Sequence, residues 1–504
     1  MDFRRSNVRL LGGVSLFALV SLGGCAAVGP DFKAPEAPAV DSYTAKPIST
    51  LDASPEARVT RQTVKNGVDI PAQWWELFKS PKLNALVLKA LAHNQNLAAA
   101  DASLRAAQEN YNAQRGGLLF PSVGLSANDT RLKSFTFDAN GNPIITSPYN
   151  LYNASVNVNY KLDVFGGSRR ALEGSSAQTE FQNFQLEGAY LTLTSNVVTA
   201  AIRLASFESQ YQATEKILTS QKKIAEVLEK QLEIGTISRI ELNTQKNLVA
   251  TSEITLLGLE KNINIVKNQL STYLGEFPSQ SRLDKLDLDD LILPEELPVS
   301  LPSKLVEQRP DIRAALAQMK LNNALVGVAT ANLLPQINLS ASMGFQAIDS
   351  AALFGPASSL WSIAGGIFQP LFQGGQLTAQ RRAASANLDQ SVFLYQATVL
   401  GAFQEVANAL NSLDTGSRSL KSTVDAYKFS ADSLNLVQQQ YQLGTSSYLT
   451  LLTVENNFQN AQIQLIQARA DRYTDSAALF AALGGGWWNR SEVAYQTPVK
   501  SDSK

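Results

Sequence analysis

Among the 504 residues there is one cysteine, Cys25, and one histidine, His93, so the side chains most used as thiolate nucleophile and as proton carrier occur once each. A thiolate metal cluster or an intramolecular disulfide needs at least two cysteines and is excluded. No nucleophile–base pair stands out, and enzyme chemistry is not expected. His93 belongs to a short amphipathic stretch with Leu86, Leu91 and Leu97 and reads as a polar surface residue. Asp284, Asp287, Asp289 and Asp290 suggest a cation site, but they alternate with leucines and lack the glycine-centred spacing of a calcium loop. A solvated linker is the expectation there, with no metal. Two chemistries remain: acylation of Cys25, and the charges of Arg239 and Glu241 beside a glycine break.

Arg4, Arg5 and Arg9 precede an apolar run over residues 10–22, the pattern of a secretory signal. The run is too short to span a bilayer as a helix. It closes on Leu22-Gly23-Gly24-Cys25, which resembles a bacterial lipobox, so 1–24 is expected to be removed as a signal peptide. Cys25 is then expected to carry N-acyl and S-diacylglycerol lipid and to need no other cofactor. Several acyl chains buried together give firm attachment to a membrane. Ala26 follows where aspartate would favour inner-membrane retention, and resemblance to such lipoproteins implies the outer membrane. The net charge is −1 with 17% charged residues, and loss of three arginines and Asp2 with the signal takes it to −3. Neither value gives the basic footprint of a nucleic-acid binder.

The elements that must carry these residues come in two copies. Gly235-Thr236-Ile237-Ser238 opens a segment closing at Tyr273-Leu274-Gly275, and Gly444-Thr445-Ser446-Ser447 opens another closing at Ala482-Leu483-Gly484, offset by 209 residues at both ends. Upstream, Pro121-Ser122-Val123 answers Pro335-Gln336-Ile337, and Phe165-Gly166-Gly167 answers Phe372-Gln373-Gly374-Gly375. So long a period is a domain-sized duplication rather than a solenoid. Proline is missing from 149–277 and from 371–497, which predicts long helices there. Leu242, Val249, Leu256, Ile263 and Leu270 recur every seven residues, joined by Leu259, Val266 and Tyr273, the pattern of a left-handed coiled coil. The second copy keeps Leu451, Phe458 and Leu465 and then breaks at Arg472. Gly235 and Gly444 read as turns between paired antiparallel helices.

Four segments alternate with period two. Val156, Val158, Tyr160 and Leu162 share one face and Asn157, Asn159, Lys161 and Asp163 the other; Ile337, Leu339, Ala341, Met343 and Phe345 alternate with Asn338, Ser340, Ser342 and Gly344. Strands are expected at about 122–132, 151–163, 335–346 and 359–370. One apolar and one polar face fit a transmembrane barrel and equally an amphipathic soluble sheet, and a lipidated chain favours the barrel. Four strands cannot close one, and an open edge in lipid leaves backbone groups unpaired, so several chains must share it. The expected organisation is a lipidated extended arm at 25–71 with no periodic core face, repeat 1 at 72–275, an equatorial linker at 276–308, repeat 2 at 309–484 and a tail at 485–504.

Further motifs stand in order along the chain: Val28-Gly29-Pro30-Asp31-Phe32 after Cys25, Trp74-Trp75 through Leu77-Phe78 and Ser80-Pro81, Leu301-Pro302-Ser303, Arg309-Pro310-Asp311-Ile312 and Leu334-Pro335. With the duplicated frame they resemble the outer-membrane factors of tripartite efflux systems, the TolC-like proteins, and among them the lipidated subgroup. The resemblance covers nearly the whole mature chain. It implies a mainly α chain with membrane β: a homotrimer whose twelve strands form one barrel through the outer membrane, continued by a long α-helical barrel in the periplasm. It implies a passive exit duct for small molecules such as drugs, toxic compounds or metal ions, delivered by an inner-membrane transporter through a periplasmic adaptor. It places Gly235, Thr236, Ile237 and Ser238, with Gly444, Thr445, Ser446 and Ser447, at the tips where the adaptor docks. Protein export of the type I kind, or a periplasmic coiled-coil lipoprotein scaffold that never spans the membrane, are the alternatives.

In relatives, acidic residues shortly after the second glycine close the pore. This chain departs from that pattern, with Thr450 and Thr453 at those positions and Arg239 and Glu241 in the first copy. The constriction candidates are therefore Arg239, Glu241, Tyr448, Thr450 and Thr453, with Arg239 and Glu241 reading alternatively as solvated surface charges.

Overall fold

The computed structural model describes residues 27–46, 48–133, 135–140, 143–145 and 147–490. The signal peptide, Cys25 and the tail beyond residue 490 lie outside the described residues. In chain order the strands are β1 (Thr50–Leu51), β2 (Gln62–Asn66), β3 (Ser122–Leu132), β4 (Phe135–Phe137), β5 (Pro143–Ile145), β6 (Tyr149–Leu162), β7 (Glu296–Val299), β8 (Gln336–Ala347) and β9 (Ser359–Phe368). The helices are α1 (Pro81–His93), α2 (Gln95–Leu119), α3 (Gly167–Glu233), α4 (Arg239–Tyr273), α5 (Pro302–Gln308), α6 (Pro310–Ala331), α7 (Gln376–Gln442) and α8 (Tyr448–Ala482). The duplication is visible in the lengths: α3 and α7 have 67 residues each, α4 and α8 have 35 each.

The chain divides into two compact units. The first takes residues up to Pro35, Ser103–Gln182 and Ala314–Tyr395. Its centre is an antiparallel sheet in the order β3-β6-β8-β9. The register keeps the alternation in step across all four strands. Leu125 faces Val156, Val156 faces Met343, and Met343 faces Trp361. One residue along, Gly124, Asn157, Ser342 and Ser362 form the neighbouring row on the other face. A slip of one residue would exchange the faces, so the alternation fixes the pairing. A short hairpin, β4 with β5, lies in the 133–148 connection.

At the helix-side end of this sheet the N-terminal segment is clasped. Arg170, almost fully enclosed, donates from Nε to the Val28 carbonyl at 3.2 Å and from Nη2 to Asp31 Oδ1 at 2.6 Å. Asn323 Nδ2 donates to the Pro30 carbonyl at 2.9 Å. Gly29, at φ +93°, lies so close to Gly327 that a Cβ on it would sit 2.5 Å from the Gly327 Cα.

The second unit takes Glu36–Ala102, Asn183–Arg313 and residues from Gln396 onward. Its aromatic core joins Trp74, Trp75 and Phe78 to Tyr473 and Phe480, with Trp74 and Phe480 centroids 5.7 Å apart. Two sequence expectations change here. Residues 50–66 supply β1 and β2, which extend a sheet through parallel pairing of β2 with β7, with Leu51, Val59 and Ile70 buried. The extended-arm expectation for 25–71 failed on this stretch because its partner strand lies more than 200 residues away. The aspartate run is not a free solvated linker either. Asp287 caps a short turn, Asp289 pairs with Arg58 and with Arg469 at 2.7 Å, and Asp290 pairs with Lys82 at 2.9 Å. Burial opposes the charge on Asp289, but Arg469 and Arg58 outweigh it and hold its pKa below the ordinary value. His93 is exposed, with Nδ1 3.0 Å from the Lys89 carbonyl.

Candidate functional site

Each long helix pair turns through the same backbone device. At the end of α3, Gly235 adopts φ +76°, its N–H donates to Leu232 O at 3.0 Å, and Thr236 N–H donates to Gln231 O at 2.9 Å. At the end of α7, Gly444 has φ +73°, its N–H donates to Tyr441 O at 3.0 Å, and Thr445 N–H donates to Gln440 O at 2.9 Å. This is the Schellman pattern, which satisfies the last carbonyls of a helix and needs a left-handed residue. A Cβ at either glycine would meet open space, so the positive φ alone calls for glycine. Thr236 and Thr445 add hydroxyl donation to the same carbonyls, at 2.9 and 3.0 Å.

The following helices start differently. Ser238 accepts from Glu241 N–H at 3.4 Å, and the Glu241 carboxylate accepts from Ser238 N–H at 2.8 Å, a complete capping box. In the second copy Ser447 accepts from Thr450 N–H at 3.1 Å, and the Thr450 hydroxyl lies 2.9 Å from the Ser447 hydroxyl. The Ser447 N–H has no carboxylate to receive it there, because threonine stands where glutamate stands in the first copy.

The two tips pack on each other through Leu228, Leu242, Tyr448 and Leu452, with Ile237 and Tyr441 at the margin. Tyr448 is 6% exposed, its hydroxyl donates to Gln245 Oε1, and Gln245 Nε2 donates to the Gln221 carbonyl at 2.8 Å. Burial, reinforced by the nearby Glu455 and Glu241 carboxylates, pushes the Tyr448 phenol up and keeps it a neutral donor. Burial likewise raises the pKa of Glu455.

The structure thus sorts the constriction candidates. Tyr448 is turned into the core between the tips, and Glu241 is bound to its own helix start. Arg239, Thr450 and Thr453 are exposed, with the Thr453 hydroxyl donating to Leu449 O at 2.9 Å. Gly235, Thr236, Ser238, Gly444, Thr445 and Ser447 are exposed at the tips, while Ile237 and Ser446 are half-buried.

Sequence reasoning missed the polar members of the seam. Gln245 and Ser252 precede Leu259 and Val266 at steps of seven and are buried with them. That spacing, run backwards from Leu259, was the available signal. Arg472 was read as a break in the second seam, yet it is fully buried in the row of Leu451, Leu465 and Leu479. It donates to Leu413 O at 2.7 Å and to Gln62 Oε1.

In the sheet, the apolar face is exposed: Leu125 is 81% and Ile363 78% accessible, with Val123, Met343, Trp361 and Ile367 beside them. The opposite face is laced by hydroxyl and amide contacts. Asn157 Nδ2 donates to Ser126 Oγ at 2.9 Å, Ser126 and Ser155 hydroxyls lie 3.0 Å apart, and those of Ser342 and Ser362 lie 2.8 Å apart. Among the described residues, both outer strands, β3 and β9, have one unpaired edge. No described helix is long and apolar enough to cross a membrane, and no described group of three His, Cys, Asp or Glu could hold a metal.

A family described as outer membrane efflux protein matches residues 86–276 and 301–485. The antibiotic efflux pump outer membrane protein ArpC of Pseudomonas putida is 28% identical over 480 residues, covering 94% of this chain and 95% of the relative. The solvent efflux pump outer membrane protein SrpC of Pseudomonas putida is 30% identical over 494 residues, covering 94% and 97%. Among solved structures, the outer-membrane channel OprN superposes with a TM-score of 0.82 at 28% identity, covering 91% of this chain and 99% of that one. The open state of the Neisseria gonorrhoeae MtrE outer membrane channel gives 0.78 at 25%, covering 92% and 99%.

Proposed function

We infer what this protein does from one premise: the chain belongs to the outer membrane efflux protein family. It is the outer-membrane channel subunit of an efflux pump, a passive duct rather than an enzyme. The observation that carries this reading in the molecule itself is the sheet, four strands with a continuous exposed apolar face, a hydroxyl- and amide-lined opposite face and two unpaired edges. Such a face belongs against lipid, and such edges must be paired there.

The edges are closed by two further copies, β9 of one chain pairing with β3 of the next, so that three chains give twelve strands. Phe429 and Leu436 on α7, with Leu443 one residue past its end, support this assembly. They recur every seven residues and are exposed in the single chain, a stripe suited to a neighbouring helix. An inner-membrane transporter and a periplasmic adaptor complete the pump, with the adaptor seated on the two glycine-turn tips. The cargo is small molecules, since the similar proteins are named for antibiotic, solvent, toluene and pyoverdine export rather than for protein secretion. The transporter chooses it. Cys25 carries the lipid, as the lipobox pattern suggests.

In detergent the protein should run as a trimer that conducts in planar bilayers, and a stable folded monomer of native β content would overturn the assembly. Gly444→Val forces a β-branched residue into the left-handed region, at a cost of about 1–2 kcal/mol. It should reduce adaptor crosslinking near Ser446 while the trimer stays in the outer membrane. Unimpaired crosslinking would remove the tips from the adaptor interface. Intact mass should show acyl chains on Cys25 that Cys25→Ser abolishes; a bare Cys25 in the wild type refutes the anchor.

A further inference from the structure

The four membrane strands contain three charged residues, Asp129, Arg131 and Lys161. The register separates them. Asp129 and Arg131 follow Val123, Leu125 and Ala127 on the apolar face, opposite Tyr152 and Asn150, at the end of β3 remote from the helices. That is where an apolar band gives way to an aromatic and polar rim. Lys161 is alone on the other face. It follows Asn157 and Asn159 along β6, one residue from the strand's end on the helix side, and is exposed. Across the sheet it faces Asn338, which faces Gly366; the next row is Ser122, Asn159, Ser340 and Ala364. No carboxylate stands on that face of the strands. The nearest acidic residue in sequence, Asp163, accepts from Ser168 N–H and Arg169 N–H at 2.9 Å each and from the Arg169 guanidinium at 3.2 Å.

We propose that Lys161 sets the ion preference of the strand-lined segment, three copies forming a cationic ring at the helix-side mouth of an otherwise uncharged lumen. This rests on the shared-barrel reading above. The lumen wall supplies hydroxyls and amides, which solvate polar solutes of either sign equally. One ring of like charge then raises the local concentration of anions and lowers that of cations. The segment passes neutral polar and anionic solutes in preference to cationic ones. The influence of the ring reaches about 8 Å at physiological ionic strength and about 30 Å at 0.01 M, so the preference is strongest in dilute salt.

The test is the zero-current potential of the full-length trimer in planar bilayers under a dilute potassium chloride gradient. Lys161→Glu should shift it toward the potassium equilibrium potential, with Lys161→Gln intermediate. Asp129→Asn and Arg131→Gln, on the lipid side, should leave it unchanged. Lys161→Cys gives a second readout: a cationic methanethiosulfonate reagent should restore the wild-type potential, and an anionic one should shift it toward that of Lys161→Glu. An unchanged potential in conducting Lys161→Glu trimers, or a thiol in Lys161→Cys trimers that neither reagent reaches, overturns the proposal while leaving the channel standing. A wild-type protein that neither trimerises nor conducts overturns the channel reading itself.

Discussion

The two helical hairpins begin with superimposable turns and then diverge in chemistry at equivalent positions, 209 residues apart. Arg239 in the first is exposed, whereas Tyr448 in the second is buried and bonded to Gln245 of the first. Glu241 closes a capping box, and Thr450 leaves it half made. Deeper along the helices, Ile263 and Val266 of the first correspond to Arg472 and Asp475 of the second. Duplication therefore preserved what the backbone needs, a left-handed glycine and a serine cap. It released the side chains that decide which hairpin packs into which. The first hairpin supplies the acceptor, the second the donor, and the pair is asymmetric although the folds are equivalent.

Breaking that asymmetry at its deepest point should cost most. Arg472 is 0% exposed and its Nε has no partner among the described residues, so the charge rests on Leu413 O, Gln62 Oε1 and the field of Asp475. Arg472→Ala should lower stability by about 3–5 kcal/mol, read as a lower Tm of the detergent-purified protein. Arg472→Met, which keeps the volume without the charge, should recover part of it. Equal losses in both variants would mean that the hydrogen bonds, not the packing, distinguish the second hairpin.

At the tips the expected effect is smaller. Tyr448→Phe strips the donor from Gln245, which is fully enclosed, at a cost of about 1–3 kcal/mol for the unmet acceptor. Hydrogen exchange should quicken around residues 242–248 and 448–452. Arg239→Gln, at the equivalent position of the first hairpin, should leave exchange unaltered. Should both behave alike, the tips are not locked by this bond.

Smallest is the cap. Glu241→Ala should cost about 1 kcal/mol at the start of α4, and Thr450→Ala less, since Ser447 still caps α8 without it. Because the Glu241 carboxylate is held by Ser238 N–H, Glu241→Gln should leave single-channel conductance as in the wild type. A rise in conductance would return Glu241 to the pore constriction and make the first hairpin, not the second, the closing element.

Much of the fold was legible because it rests on local periodicities. The alternation in Val156, Val158, Tyr160 and Leu162 reappears as the apolar face of β6, and the paired glycine turns appear with positive φ where the repeats meet their landmarks. The seam was legible only where it is apolar. Leu259 and Val266 were seen, while Gln245 and Ser252 in the same row were not, because a buried amide carries no hydropathy signal. Arg472 was taken for an interruption for the same reason. Residues 50–66 were missed because β2 finds its partner β7 more than 200 residues along the chain, beyond the helices and strands of the first repeat, and a five-residue strand offers too little pattern by itself.

By itself the sequence determined the duplication, the helix and strand periods, and the glycines that end the helices, since each depends on neighbours within a few residues along one chain. Only the tertiary structure decided which polar groups are enclosed. Gln245 meets Tyr448, Arg472 meets Leu413 and Gln62, and Arg170 meets the 28–31 segment across separations of about 60 to more than 400 residues. The physical reason is that an enclosed polar atom is tolerated only when a partner reaches it, and the partner's identity is set by packing in three dimensions.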